Sequence, residues 1–102
     1  MKKEEQVKIN QAVMEAVKEF NASDRRIIND TRFRRCTARV LETPEYYILR
    51  SYNTNVAFIN KSTGILFDVL RYVYGNSSSS AQHISKFDHD YEPNVKMTYY
   101  PV

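Results

Sequence analysis

A chain of 102 residues with 42% hydrophobic and 26% charged side chains is long enough for one modest core and too apolar for a disordered tail. Its single cysteine, Cys36, excludes an internal disulfide framework, and no apolar run approaches the ~20 residues of a membrane span. The net charge of +3 arises in one segment: residues 21–40 carry six arginines against two aspartates, whereas the remainder holds nine cations and ten anions.

The first element is an amphipathic helix over residues 3–20. Ile9, Val13, Val17 and Phe20 fall on one helical face, with Met14 and Ala16 widening the stripe. Glu4 and Glu5 suit its positive N-terminal end. The charged start, Met1-Lys2-Lys3-Glu4-Glu5, lacks the apolar stretch of a signal peptide, and with the lone cysteine it points to a cytoplasmic location. Asn21-Ala22-Ser23-Asp24 interrupts the periodicity, and Ser23 or Asp24 is placed to cap a short second helix running into Ile27 and Ile28.

Strand signals dominate residues 36–74. Thr37-Ala38-Arg39-Val40-Leu41 has strand propensity before Pro44 breaks it. Tyr46–Tyr52 and Thr54–Asn60 read as two strands around Asn53. In the second, alternation sends Val56 and Phe58 to one face and Ala57 and Ile59 to the other, so both faces are expected to be covered. A third run, Ile65–Val73, alternates as a strand, but after residue 68 it also fits a helix, and periodicity leaves the choice open.

A helix over residues 79–90 follows. Ser79 is the expected N-cap, with Gln82 completing a capping box and Ile84, Phe87 and Tyr91 sharing one face. Beyond Pro93, residues 91–102 form a tail or an edge strand. The expected architecture is a single α+β domain, residues 1–102. It has an N-terminal helix, a mainly antiparallel sheet of three to five strands, and the capped helix packed on one face. Hairpins are marginal alone, so the helices have to cover one sheet face.

Ser51-Tyr52-Asn53-Thr54-Asn55-Val56-Ala57-Phe58-Ile59, then Gly64, Tyr74-Gly75 and Ala81-Gln82-His83-Ile84-Ser85-Lys86-Phe87, resemble a family of small phage, prophage and mobile-element proteins. Its pattern runs Ser-Tyr-x-Thr-x-Val-Ala, a hairpin, then Tyr-Ser-x-Thr-Thr-x-x-His-Ile-x-Lys-Phe. The likeness covers about 40 residues, with serines of Ser77–Ser80 standing where the family has its Thr-Thr pair. It implies a non-enzymatic accessory role in a bacterial host cell, such as an anti-CRISPR-like inhibitor of a defence system. Such a protein would bind a bacterial target, a defence nuclease for instance, or its nucleic acid.

The residues themselves offer little catalytic chemistry. His83 suits either a base or a structural hydrogen bond from helix to sheet, and it shares no helical face with His89. Cys36 has no visible base to make it a nucleophile. Asp68, inside an apolar run, is expected to reach a sheet edge or to pair with Arg71 or a clustered arginine. No metal, cofactor or enzyme motif stands out. The arginine cluster is the feature with functional reach, because guanidinium is a planar fork that matches phosphates and carboxylates. Arg25, Arg26, Arg32, Arg34, Arg35 and Arg39 are the expected partner-binding donors, with Phe33 as an apolar anchor or stacking surface. The alternatives are a solvated basic edge and a non-specific nucleic-acid-binding accessory protein. Exposed tyrosines leave a homodimer open.

Overall fold

The computed structural model describes residues 2–102. Helix α1 (Lys3–Ala22) is followed by strands β1 (Asn29–Arg32), β2 (Ala38–Glu42), β3 (Tyr46–Ser51), β4 (Thr54–Asn60) and β5 (Ile65–Asp68). A single helical turn, α2 (Leu70–Val73), then leads to helix α3 (Ser78–Tyr91) and strand β6 (Val95–Thr98). The fold is α+β. Its six strands lie in sequence order, antiparallel from β1 to β5. The β5–β6 pair is parallel, which requires a crossover, and α2 with α3 supplies it. The sheet is wider than three to five strands because β1 and β6 lie outside residues 36–74.

The two long helices cover opposite faces of this sheet, not one. Val13, Val17 and Phe20 of α1 pack on Leu41, Tyr46, Ile48 and Phe58. Ile84 and Phe87 of α3 pack on Ala38, Val40, Leu49, Ala57, Ile59 and Leu66. Central strands are therefore buried on both sides, and each fully covered side chain contributes about 1.5–3 kcal/mol. Phe20 stacks on Phe58 with ring centroids 4.3 Å apart, while Tyr46 meets both rings edge-on.

A β-bulge corrects the expected alternation in β4. Leu49 pairs with Ala57 but Arg50 pairs with Asn55, so Val56 is an extra residue opposite that step. Its side chain consequently joins the α3-side cluster with Ala57, while Phe58 faces α1. Beyond Asp68 the chain turns helical. Asp68 pairs with no arginine; its Oδ1 accepts the Leu70 N–H at 3.2 Å and helps seat α2. Burial pushes the Asp68 carboxyl up despite that bond and the fields of Lys96 and Arg71.

Two further expectations fail at helix ends. Residues 23–28 form no second helix: Ser23 Oγ donates to Phe20 O at 2.7 Å and closes α1. The chain then runs extended to Ile28, whose N–H donates to Glu42 O at 2.8 Å, leaving Ile27 and Ile28 exposed. At α3 the N-cap is Ser77, not Ser79; Ser77 Oγ accepts the Ser80 N–H at 3.3 Å. Ser79 lies inside the first turn and both it and Gln82 are exposed, so Ser79–Gln82 is not a capping box. The cap lies two residues earlier because Ser77 takes the extended backbone a cap needs (φ −148°, ψ 117°).

The apolar stripe of α1 also extends into polar residues. Met14 is exposed, whereas Gln6 and Asn10 are buried. Gln6 Nε2 donates to Asn10 Oδ1 (2.7 Å) and to Thr98 O (3.0 Å). Asn10 Nδ2 donates to Tyr100 O (2.6 Å), and Asn10 Oδ1 accepts the Tyr100 N–H (3.1 Å). Two amides thus clamp the backbone at the end of β6 and just beyond it.

Candidate arginine-lined interface

Strand pairing gathers three arginines that are distant in sequence. Arg32 lies opposite Arg39, and Arg39 opposite Arg50. Side chains at paired positions share a face, so β1, β2 and β3 present a cross-strand row of guanidiniums. Neighbouring strands are about 4.8 Å apart. The row lies on the α1 side, in line with Leu41 and Ile48, past the reach of the helix. Like charges placed opposite one another repel, and the neighbours relieve this only in part. Arg39 Nε bonds Asp30 Oδ1 at 2.7 Å, and Arg50 Nε donates to Asn55 Oδ1 at 3.0 Å. Arg32 makes no side-chain hydrogen bond or ion pair among the described residues.

The other members of the cluster separate into distinct roles. Arg25 stacks over the Phe20 ring, 4.5 Å from its centroid. Arg26 and Arg35 are exposed. Arg34, held at φ +53° in the β1–β2 loop, forms a bidentate pair with Asp90 of α3, at 2.5 and 2.9 Å. That pair holds the Asp90 carboxyl at about 2, with His89 adding to the effect. Arg34 is therefore a loop-to-helix tie. Phe33 is not a surface anchor: it is 5% exposed, belongs to the α3-side core and meets Phe87 edge-on with centroids 6.2 Å apart. The loop turns it inward, where its N–H donates to Ala38 O at 2.9 Å and its carbonyl accepts from Cys36 Sγ at 3.0 Å.

Next to the row is an open groove of about 500 Å³ lined by Arg32, Arg39, Thr37, Tyr52 and Asn53. Tyr52 begins the β3–β4 turn at φ +56° and is 55% exposed. The Thr37 and Ser79 hydroxyls favour its phenolate and lower its pKa. Tyr52 thus lines the groove without contributing to the charge cluster. The signal is a bulky aromatic in a two-residue turn where Gly, Asn or Asp is usual.

His83 sits beneath this tip. Its Nδ1 lies 2.8 Å from Ser51 Oγ, which in turn lies 2.8 Å from Ser80 Oγ, joining α3 to β3 in a buried chain of hydroxyls. Burial, then the charge of Lys86, lowers the His83 pKa, so the neutral imidazole is favoured at pH 7, and its tautomer sets which way the Ser51 bond runs. No acid orients this imidazole, so the arrangement is a tether between helix and sheet. Among the described residues no three His, Cys, Asp or Glu side chains converge as metal ligands, and no helix is long and apolar enough to cross a membrane. Compared with known families, curated proteins and solved structures, the chain gives no match.

Proposed function

We propose that this chain is a non-enzymatic binding protein that occludes a bacterial defence nuclease where it meets nucleic acid. The observation that carries the binding role is the row Arg32–Arg39–Arg50, a set of like charges aligned across three strands. Such a row is stabilised by a partner supplying anions at matching spacing, an acidic protein surface or nucleic acid held by the target. The inhibitory role rests on the sequence resemblance to phage and mobile-element proteins. Site residues are Arg32, Arg39 and Arg50, with Arg25, Arg26 and Arg35 at the margin.

The test is capture from a bacterial lysate before and after nuclease digestion, comparing the natural chain with an Arg32→Glu/Arg39→Gln variant. A stoichiometric protein partner that survives digestion, loses nuclease activity when the natural chain binds it, and is not captured by the variant is the expected result. A folded variant that retains the partner would overturn the assignment of the arginine row. Tyr52 beside Arg32 and Arg39 favours a second reading, a nucleic-acid-binding accessory protein, which predicts recovery of nucleic acid alone and its loss in high salt.

A further inference from the structure

The β3–β4 turn is built against the preference of its own backbone. Tyr52 occupies a φ of +56°, a region in which Cβ crowds the following carbonyl and which bulky residues rarely adopt. A two-residue hairpin turn is ordinarily made by Gly, Asn or Asp for that reason. Strain of this kind persists where the surroundings enforce it, and it concentrates at ligand sites. Here a neighbour from α3 braces the ring: it rests against His83 with centroids 6.0 Å apart, yet more than half of Tyr52 remains exposed. An aromatic surface and two guanidiniums, Arg32 and Arg39, therefore line one open groove at the end of the sheet, the ring on the α3 side and the arginines on the α1 side. Tyr52 also lines a small hollow with Ser51, Thr54, Ser77, Ser80 and a second tyrosine, Tyr74, which is 66% exposed.

We propose that Tyr52 is a base-stacking platform and that, with Arg32 and Arg39 on the phosphates, it forms a binding site for single-stranded nucleic acid. The inference rests on the arginine row being an anion-binding face and specifies which anion the groove takes. A carboxylate would engage only the phenol hydroxyl of Tyr52, whereas every base has a π-face to lay on the ring. Duplex DNA hides its bases within the stack and would leave Tyr52 unused. The groove's volume of about 500 Å³ lies in the range of sites for small ligands, enough for a nucleotide unit. Recognition is expected to be sequence-tolerant, because the groove offers stacking and charge and no ordered set of base-edge contacts.

The test is fluorescence anisotropy of the full chain with a labelled oligothymidylate of about 12 nucleotides, and with the same length as duplex, across a salt series. The expected result is binding at low salt with preference for the single strand. Tyr52→Asn relieves the turn, so it should melt no lower than the natural chain while binding about tenfold or more weakly. Tyr52→Phe keeps the ring and should stay within about threefold. Arg32→Gln should reduce the slope of log affinity against log salt by about 0.7. Absence of binding at low salt, equal affinity for duplex, or undiminished binding by a folded Tyr52→Asn would each overturn the stacking site. Those outcomes are separable from failure of the docking role: protein capture lost with Arg32→Glu/Arg39→Gln but kept with Tyr52→Asn leaves the arginine row standing and removes only the platform.

Discussion

Replacing Asn10 by Ala probes how much the amide clamp contributes to the fold. Asn10 is 7% exposed and engages three partners: Tyr100 O, the Tyr100 N–H and Gln6 Nε2. Each hydrogen bond contributes about 1 kcal/mol net, and a buried group left without a partner costs about 1–3 kcal/mol. The Tyr100 backbone is only partly buried, so water replaces some of the loss there. Gln6 keeps its bond to Thr98 O. The resulting expectation is a loss of about 2–3 kcal/mol, or a melting temperature lower by about 10–20 °C for a domain of this size. Equilibrium urea unfolding measures it, with hydrogen exchange at the Tyr100 amide as the local readout. Asn10→Asp still accepts the Tyr100 N–H but sets a carboxylate against Tyr100 O, so it should be at least as damaging. A loss below about 0.5 kcal/mol, the ordinary range for surface substitutions, would refute the reasoning. It would show that residues 98–100 are held by β-sheet packing and not by α1.

Two other expectations separate core from surface and assign a titration. Phe33→Ala should cost about 3–4 kcal/mol as a buried aromatic truncation, whereas Arg35→Ala should stay within about 0.5 kcal/mol; a mild Phe33 variant in urea unfolding would return that residue to the surface. His83 has a depressed folded-state pKa, so the folded protein binds fewer protons than the unfolded chain near pH 6.5. Its contribution to stability is complete above the unfolded value and is lost as pH falls through about 6.5 toward the lower folded value. Urea midpoints at about pH 7.5 and pH 5.5 should diverge in the natural chain and less so in His83→Gln, and parallel slopes in the two proteins would exclude His83 as the source.

The fold was legible where side-chain patterns are local. Tyr46–Ser51, Thr54–Asn60 and α1 follow from β-branched and aromatic runs, a turn at Asn53 and a 3.6-residue stripe. What escaped depends on contacts between distant segments. β1, Asn29–Arg32, is polar and exposed throughout, so it carries no hydrophobic alternation and exists through its pairing with β2. Gln6 and Asn10 continue the stripe of α1 in polar residues, and their burial makes sense only once the backbone of residues 98–100 lies beside them. Among six arginines the sequence cannot distinguish Arg34, tied to Asp90, from Arg32, which has no partner, because register decides the difference. Phe33 looked like an anchor because its neighbours are charged, but a single inward turn of the loop placed it in the core.

The order of strands has a consequence for how the chain acquires its shape during synthesis. Each strand neighbours the next one made, so β1 to β5 can pair progressively, through short and rapidly closed loops. Helix α1 is made before the sheet, yet its clamped partners, Thr98 and Tyr100, follow some 90 residues later. Until they emerge, the inner face of α1 lacks part of its cover. The apolar part of that face, Val13, Val17 and Phe20, can be covered once β2 to β4 are made, so what stays open until residues 98–100 emerge is the polar pair Gln6 and Asn10, which water can serve meanwhile.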